Sequence, residues 1–151
     1  MKMTPTRSLI LAFLTTLCFA GSVDARDFAF APANTEFVLN GKVSFGSSVC
    51  LAQWVVRTGA PGSGRARVTI ANQLPSRRCT DLINTAPWSM TAAGPRTYLI
   101  LKMMLGGDQA CGPGDARVNL VNGASHFNAD FGDCIVRGSF DSTPKLTIVP
   151  Q

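Results

Sequence analysis

A chain of 151 residues, 46% hydrophobic and 15% charged, makes one ordinary domain with enough apolar material for a core. Its net charge of +5 is modest and scattered. No long block of like charges appears, which argues against a basic tail with nucleic-acid specificity, and the few acids form no close pair in an apolar setting, so there is no glycosidase signature.

Lys2 and Arg7 open the chain, and an apolar run follows from Leu9 to Ala20. The run is shorter than the ~20 apolar residues that span a bilayer. A basic start, a short apolar core and a small-residue exit are the marks of a cleavable secretory signal. Two exits fit, one after Ala20 and one after Ala25. The second is favoured because Val23 and Ala25 occupy its recognition positions. Residues 1–25 are therefore expected to be removed. Leu17, before Cys18, is too large for a lipoprotein signal. No second long apolar run exists, so no transmembrane segment is expected. The expected destination is secreted, extracellular or cell-surface, with the periplasm as the alternative.

Residues 26–35 form an extended segment with Phe28 and Phe30 alternating. Pro32 limits it to an edge position. It pairs either in cis, the favoured reading, or with a second copy of the chain. Residues 36–151 read as a single β domain. Residues 36–46 alternate around Phe37, Leu39, Val43 and Phe45, with Asn40-Gly41 as a candidate hairpin turn. Residues 49–57 are rich in β-branched and aromatic types. The glycine-rich stretch 59–64 breaks the chain before a strand over 65–71. Thr80 is a candidate cap for one helical turn over 79–86, which Pro87 would stop. Residues 98–105 are the most apolar run, bracketed by Gly94-Pro95 and Gly106-Gly107. Strands over 116–123, 126–132, 134–140 and 145–149 follow at short intervals. The expected fold is all-β: an antiparallel β-sandwich, or flattened barrel, with at most one short helical turn.

Cys50, Cys79, Cys111 and Cys134 remain after cleavage. In an oxidising compartment an even set reads as two disulfides. Three pairings are open. Cys50–Cys79 with Cys111–Cys134 is favoured, since it closes the shorter loops without crossing the chain. No Cys-x-x-Cys pair exists and there is one histidine, so the cysteines are not read as metal ligands. No cofactor is expected.

The candidate sites are weak. His126 is the only base for a Ser-His-Asp arrangement, with Ser125, Asp130 and Asp133 near it in sequence, but no nucleophile elbow accompanies it. Asn128, Asp130 and Asp133 match no calcium loop. Gly62-Ser63-Gly64 lacks the ending of a phosphate loop. Trp54 and Trp88 are read as core residues, with Trp88 also a candidate sugar contact. Arg65 with Arg67, and Arg77 with Arg78, are basic spots that read as solvated loop ends or as weak contacts for anionic polysaccharide. No residue set calls for catalysis.

The order of landmarks resembles a known family. A leader precedes "FVLNGKVSF". Cys50, "ARVTI", Cys79, the loop "APW", Cys111, "CIVRGSF" and a closing "STPKLTIVP" follow. This layout looks like that of the alkane-oxidation protein activators, the PraB-like exported proteins of Gram-negative bacteria. Ala86 stands where the family has a Leu-Pro-Trp-like loop. The resemblance implies a secreted, non-enzymatic accessory protein acting at surfaces: hydrocarbon use, adhesion or biofilm matrix. Implied partners are apolar surfaces, lipid or polysaccharide, and the chain itself through Phe28 and Phe30. A carbohydrate- or lipid-binding module using Trp88, Arg77 and Arg78 is the second expectation.

Overall fold

The computed structural model describes residues 27–45, 48–73, 83–84, 86–106, 110–132 and 134–151. The leader with its two exits, Arg77, Arg78, Cys79 and Asp133 lie outside the described residues. Among the described residues there is no helix. The strands are β1 (Phe28–Ala31), β2 (Glu36–Phe45), β3 (Ser48–Thr58), β4 (Arg65–Gln73), β5 (Ile83–Asn84), β6 (Trp88–Gly94), β7 (Thr97–Gly106), β8 (Ala110–Val121), β9 (Ala124–Asp130), β10 (Ile135–Thr143) and β11 (Thr147–Pro150).

Of the two expected architectures, sandwich and flattened barrel, the structure shows a closed barrel and not a sandwich. Eight antiparallel strands run in the order β7-β6-β4-β3-β2-β10-β9-β8, and β8 pairs back onto β7. Tyr98 lies opposite Val118, and Leu99 opposite Arg117, at that seam. Closure removes the open edges that two separate sheets would keep. A barrel of eight strands is also just wide enough for side chains to fill it.

Period-2 alternation does the filling. Phe37, Leu39 and Val43 of β2 point inward and are buried, as are Trp88, Met90 and Ala92 of β6 and Ala116, Val118 and Leu120 of β8. The outward positions are mostly polar, the reverse of the outward apolar band of membrane-spanning barrels. At the centre Trp54 meets Trp88 edge-on at 5.3 Å and lies 4.3 Å from the Phe140 ring. Phe127 completes the cluster, 6.0 Å from Trp54. Gly138 faces the Phe127 ring directly, where a Cβ would overlap it.

Three local expectations change. Asn40-Gly41 is not a turn. Gly41 lies opposite both Phe140 and Ala52 inside β2. The strand runs on because glycine lets the β10 backbone approach. The expected helical turn over 79–86 contains strand residues Ile83–Asn84, paired with Gly106 and Leu105; residues 79–82 and 85 lie outside the described residues. β6 was not expected. Its small residues Ala92, Ala93 and Gly94 have weak strand preference, and pairing with β4 and β7 overrides it.

β1 pairs antiparallel with β11, Phe28 opposite Pro150 and Ala31 opposite Thr147. This ribbon packs against β4 and β6 at one end of the barrel. Phe30 is buried and meets Tyr98 edge-on at 5.7 Å. Thr58 holds the approach from β1 to β2. Its hydroxyl donates to the Pro32 carbonyl at 2.8 Å and accepts from the Thr35 N–H at 3.0 Å.

Among the described residues one of the two expected disulfides is present, Cys111–Cys134, with Cα atoms 5.8 Å apart. It ties β8 to the chain entering β10. Cys50 is fully buried on β3, and its expected partner lies outside the described residues.

Candidate functional site

The outer wall formed by β2, β3, β4, β6 and β7 carries the most organised surface. The sequence Arg65-Ala66-Arg67-Val68 alternates, so both arginines face outward while Ala66 and Val68 face the core. Antiparallel register sets Arg57 of β3 opposite Arg67. One row then crosses five strands: Glu36, Arg57, Arg67, Ser89, Leu101. The next runs Arg65, Thr91, Leu99, Arg117. An open groove of ≈ 670 Å³ lies here, lined by Arg57, Arg65, Arg67, Ser89, Thr91 and Leu101 among others. None of the described residues lining it is acidic. Glu36 borders Arg57 on the β2 side, away from β4.

Below the arginines the same wall is aliphatic. The β3–β4 pairing shifts register between Val55 and Val56, so Val55 lies opposite Ile70 and Val56 opposite Val68. Thr69 is the extra residue, and its hydroxyl donates to the Val55 carbonyl at 3.2 Å. Such a bulge re-aims the following side chain. Without it Ile70 would follow Ala66 and Val68 into the core. With it Ile70 turns outward, 45% exposed, beside Val55. Val38, opposite Val55 on β2, extends the row. A polar row of Asn40, Gln53 and Asn72 follows, with the Gln53 side-chain amide donating to Asn40 Oδ1 at 3.0 Å, and beyond it Leu51 and Val49, 50% and 59% exposed, stand on the outer face of β3. The other exposed aliphatics, Val121, Ile135 and Val149, stand on three different strands.

A second bulge lies in β7, where the register shifts between Ile100 and Met103. Lys102 has a positive φ of 53° there, unfavourable for a non-glycine residue. The Asp115 carboxylate accepts the Lys102 backbone N–H at 2.9 Å. The bulge keeps Lys102 outside and returns Met103 to the core.

The structure separates the other candidates. Trp88 is 3% exposed inside the barrel, so a sugar would reach it only if the wall opened. Phe28 is half-buried, and Phe30 is covered by the cis pairing. Ser125 and His126 are neighbours on β9 and point to opposite sides of the wall. Ser125 faces inward and His126 outward, with its Nδ1 3.1 Å from the Ser139 hydroxyl. Asn128 and Asp130 are exposed on the same outer face, and the Asp130 carboxylate accepts the Gly132 N–H at 2.9 Å. Among the described residues no cluster of three metal-ligating side chains occurs. The arginine pair was only half visible in the sequence: Arg65 and Arg67 stood out, whereas Arg57 joins them only through strand register.

Inside the barrel, the Tyr98 hydroxyl donates to Ser125 Oγ at 2.9 Å. Burial pushes the Tyr98 pKa from 10.0 up to about 12, and the Ser125 hydrogen bond opposes the rise. The unfolded phenol therefore loses its proton first. Stability should be level below pH 10, fall above it, and flatten near pH 12. The loss is about 3 kcal/mol across that window. Urea unfolding followed by circular dichroism between pH 9 and 12 should show this fall, and Tyr98→Phe should remove it.

The family model described as "Alkane oxidation protein activator PraA/PraB-like" matches residues 1–150. No curated protein matches the chain, and no solved structure does.

Proposed function

Because the chain belongs to the PraA/PraB-like family of alkane oxidation protein activators, we propose that it is an exported, non-enzymatic accessory protein that works where an apolar phase meets water. The observation that carries this is the outward turn of Ile70 at the Thr69 bulge. It sets a β-branched aliphatic beside Val55 and Val38, above Leu51 and Val49. Exposed aliphatics gathered on one face of an otherwise polar wall mark an interaction surface. Each half-exposed side chain removed from water contributes roughly 1 kcal/mol. That is enough for reversible adsorption of a rigid barrel to oil, and too little for insertion.

Hydrocarbon contact through this wall leaves the fold intact. Self-assembly through Phe28 and Phe30 would instead require β1 to leave β11 and Phe30 to leave Tyr98, so the wall is the favoured surface. Adhesion or a place in a biofilm matrix would use the same exposed row. A culture-supernatant location follows from the leader and from the need to meet insoluble alkane outside the cell. Fractionation that finds the mature chain only in the cytoplasm would end this proposal.

The direct test is pendant-drop tensiometry at a hexadecane–water interface. The wild-type barrel should lower interfacial tension with a measurable adsorption rate. A Leu51→Ser/Ile70→Ser variant should adsorb several-fold more slowly, since it loses roughly 2 kcal/mol of apolar contact. Both positions face solvent, so its circular dichroism and melting midpoint should match the wild type. Equal adsorption by the two proteins would sink the assignment of this wall.

A further inference from the structure

We propose that the groove between Arg57, Arg65 and Arg67 binds the head of a single-chain anionic amphiphile, an alkyl carboxylate. The proposal deepens the interface function and rests on its aliphatic wall for the tail. Its head group stands on the arginines alone.

Arg57 and Arg67 stand directly opposite each other on the outer face of β3 and β4, and Arg65 lies two residues along β4. Like charges directly opposite in a sheet are destabilising. Glu36 lies opposite Arg57 on the far, β2 side, and the described lining of the groove between Arg57 and Arg67 supplies no carboxylate. An oxyanion between Arg57 and Arg67 would relieve the pair, accepting charge-assisted hydrogen bonds from planar donor forks. Ser89 and Thr91, on the adjoining strand, add hydroxyl donors on the β6 side.

The surroundings point to an anion with an alkyl chain. Moving from Arg57 to Val55, or from Arg67 past the bulge to Ile70, passes from the basic row to the aliphatic row. Two residues of strand span about 7 Å, so a chain of several methylenes anchored at the arginines lies over Val55 and Ile70. Leu101 flanks the head on the other side. A polysaccharide or nucleotide would instead want an aromatic platform. Both tryptophans and the single tyrosine of the chain are inside the barrel.

Titration calorimetry with sodium decanoate below its micelle concentration tests the site, with acetate and decanol as companions. Wild type should bind decanoate at least about ten-fold more tightly than an Arg57→Gln/Arg67→Gln variant, the loss of two charge-assisted contacts. Decanol should bind both proteins equally weakly, and acetate should bind neither. The variant should melt at or above the wild-type midpoint, because the opposed charges are gone. Arg65→Gln provides a second, milder variant and should also weaken decanoate binding. The proposal is overturned if the double variant binds decanoate as tightly as wild type. It is equally overturned if wild type binds anionic phospholipid vesicles but no monomeric decanoate. The Arg57→Gln/Arg67→Gln variant should still adsorb to hexadecane at the wild-type rate, whereas the Leu51→Ser/Ile70→Ser variant should adsorb several-fold more slowly. Failure of the groove and failure of the aliphatic wall are thereby read separately.

Discussion

Trp54→Ala should lower the unfolding free energy by about 4 kcal/mol, the upper part of the range for large-to-small changes in a core. Trp54 is 2% exposed and touches Trp88, Phe127 and Phe140 at once. Its removal opens a void on the barrel axis. The walls cannot collapse into it, because each strand is hydrogen-bonded on both sides. Trp54→Phe keeps a ring in the cluster and should recover more than half of the loss. Guanidinium unfolding followed by far-ultraviolet circular dichroism measures both, and keeps the readout independent of the missing indole. A Trp54→Ala loss under about 1 kcal/mol would mean that the barrel relaxes far more than closure allows.

Gly41→Ala should cost about 3 kcal/mol despite adding a single methyl group. A Cβ on Gly41 would run into the Ser139 carbonyl oxygen and come within 2.7 Å of the Phe140 Cα. Both obstacles are backbone, so no rotamer change relieves them, and β2 and β10 would have to part. Gly94→Ala is the control. Its Cβ would meet nothing nearer than the Thr97 Cβ at 3.8 Å, and the change should stay within about 1 kcal/mol of wild type. Equal melting midpoints for Gly41→Ala and Gly94→Ala would remove the close-approach explanation.

Much of the fold was legible because alternation of Phe37 with Leu39, or Val118 with Leu120, reports a half-buried strand without any knowledge of its partner. Closure was not legible. Whether Thr97–Gly106 ends a sheet or pairs on both edges depends on β8 reaching it, and no local pattern encodes that. Gly41 misled for a related reason: Asn-Gly is the strongest local turn signal, yet here the glycine serves a neighbour almost a hundred residues later in the chain. The outward face was the least legible. Ile70 sits in phase with Ala66 and Val68, and only the Thr69 bulge takes it out. Arg57 acquires its meaning from Arg67 opposite, a relation that exists only after β3 and β4 have paired. Family membership was legible from the order of the landmarks, since residues 1–150 match as a whole.

The pairing of β1 with β11, and of β2 with β10, also sets an order of events. The first strands of the domain find their partners among the last residues of the chain. Contacts this distant in sequence form late and slow folding. The ring cannot be completed until residues 135–143 are available to enter between β2 and β9. A chain stalled before that point presents bare edges on β2 and β9, which invite aggregation.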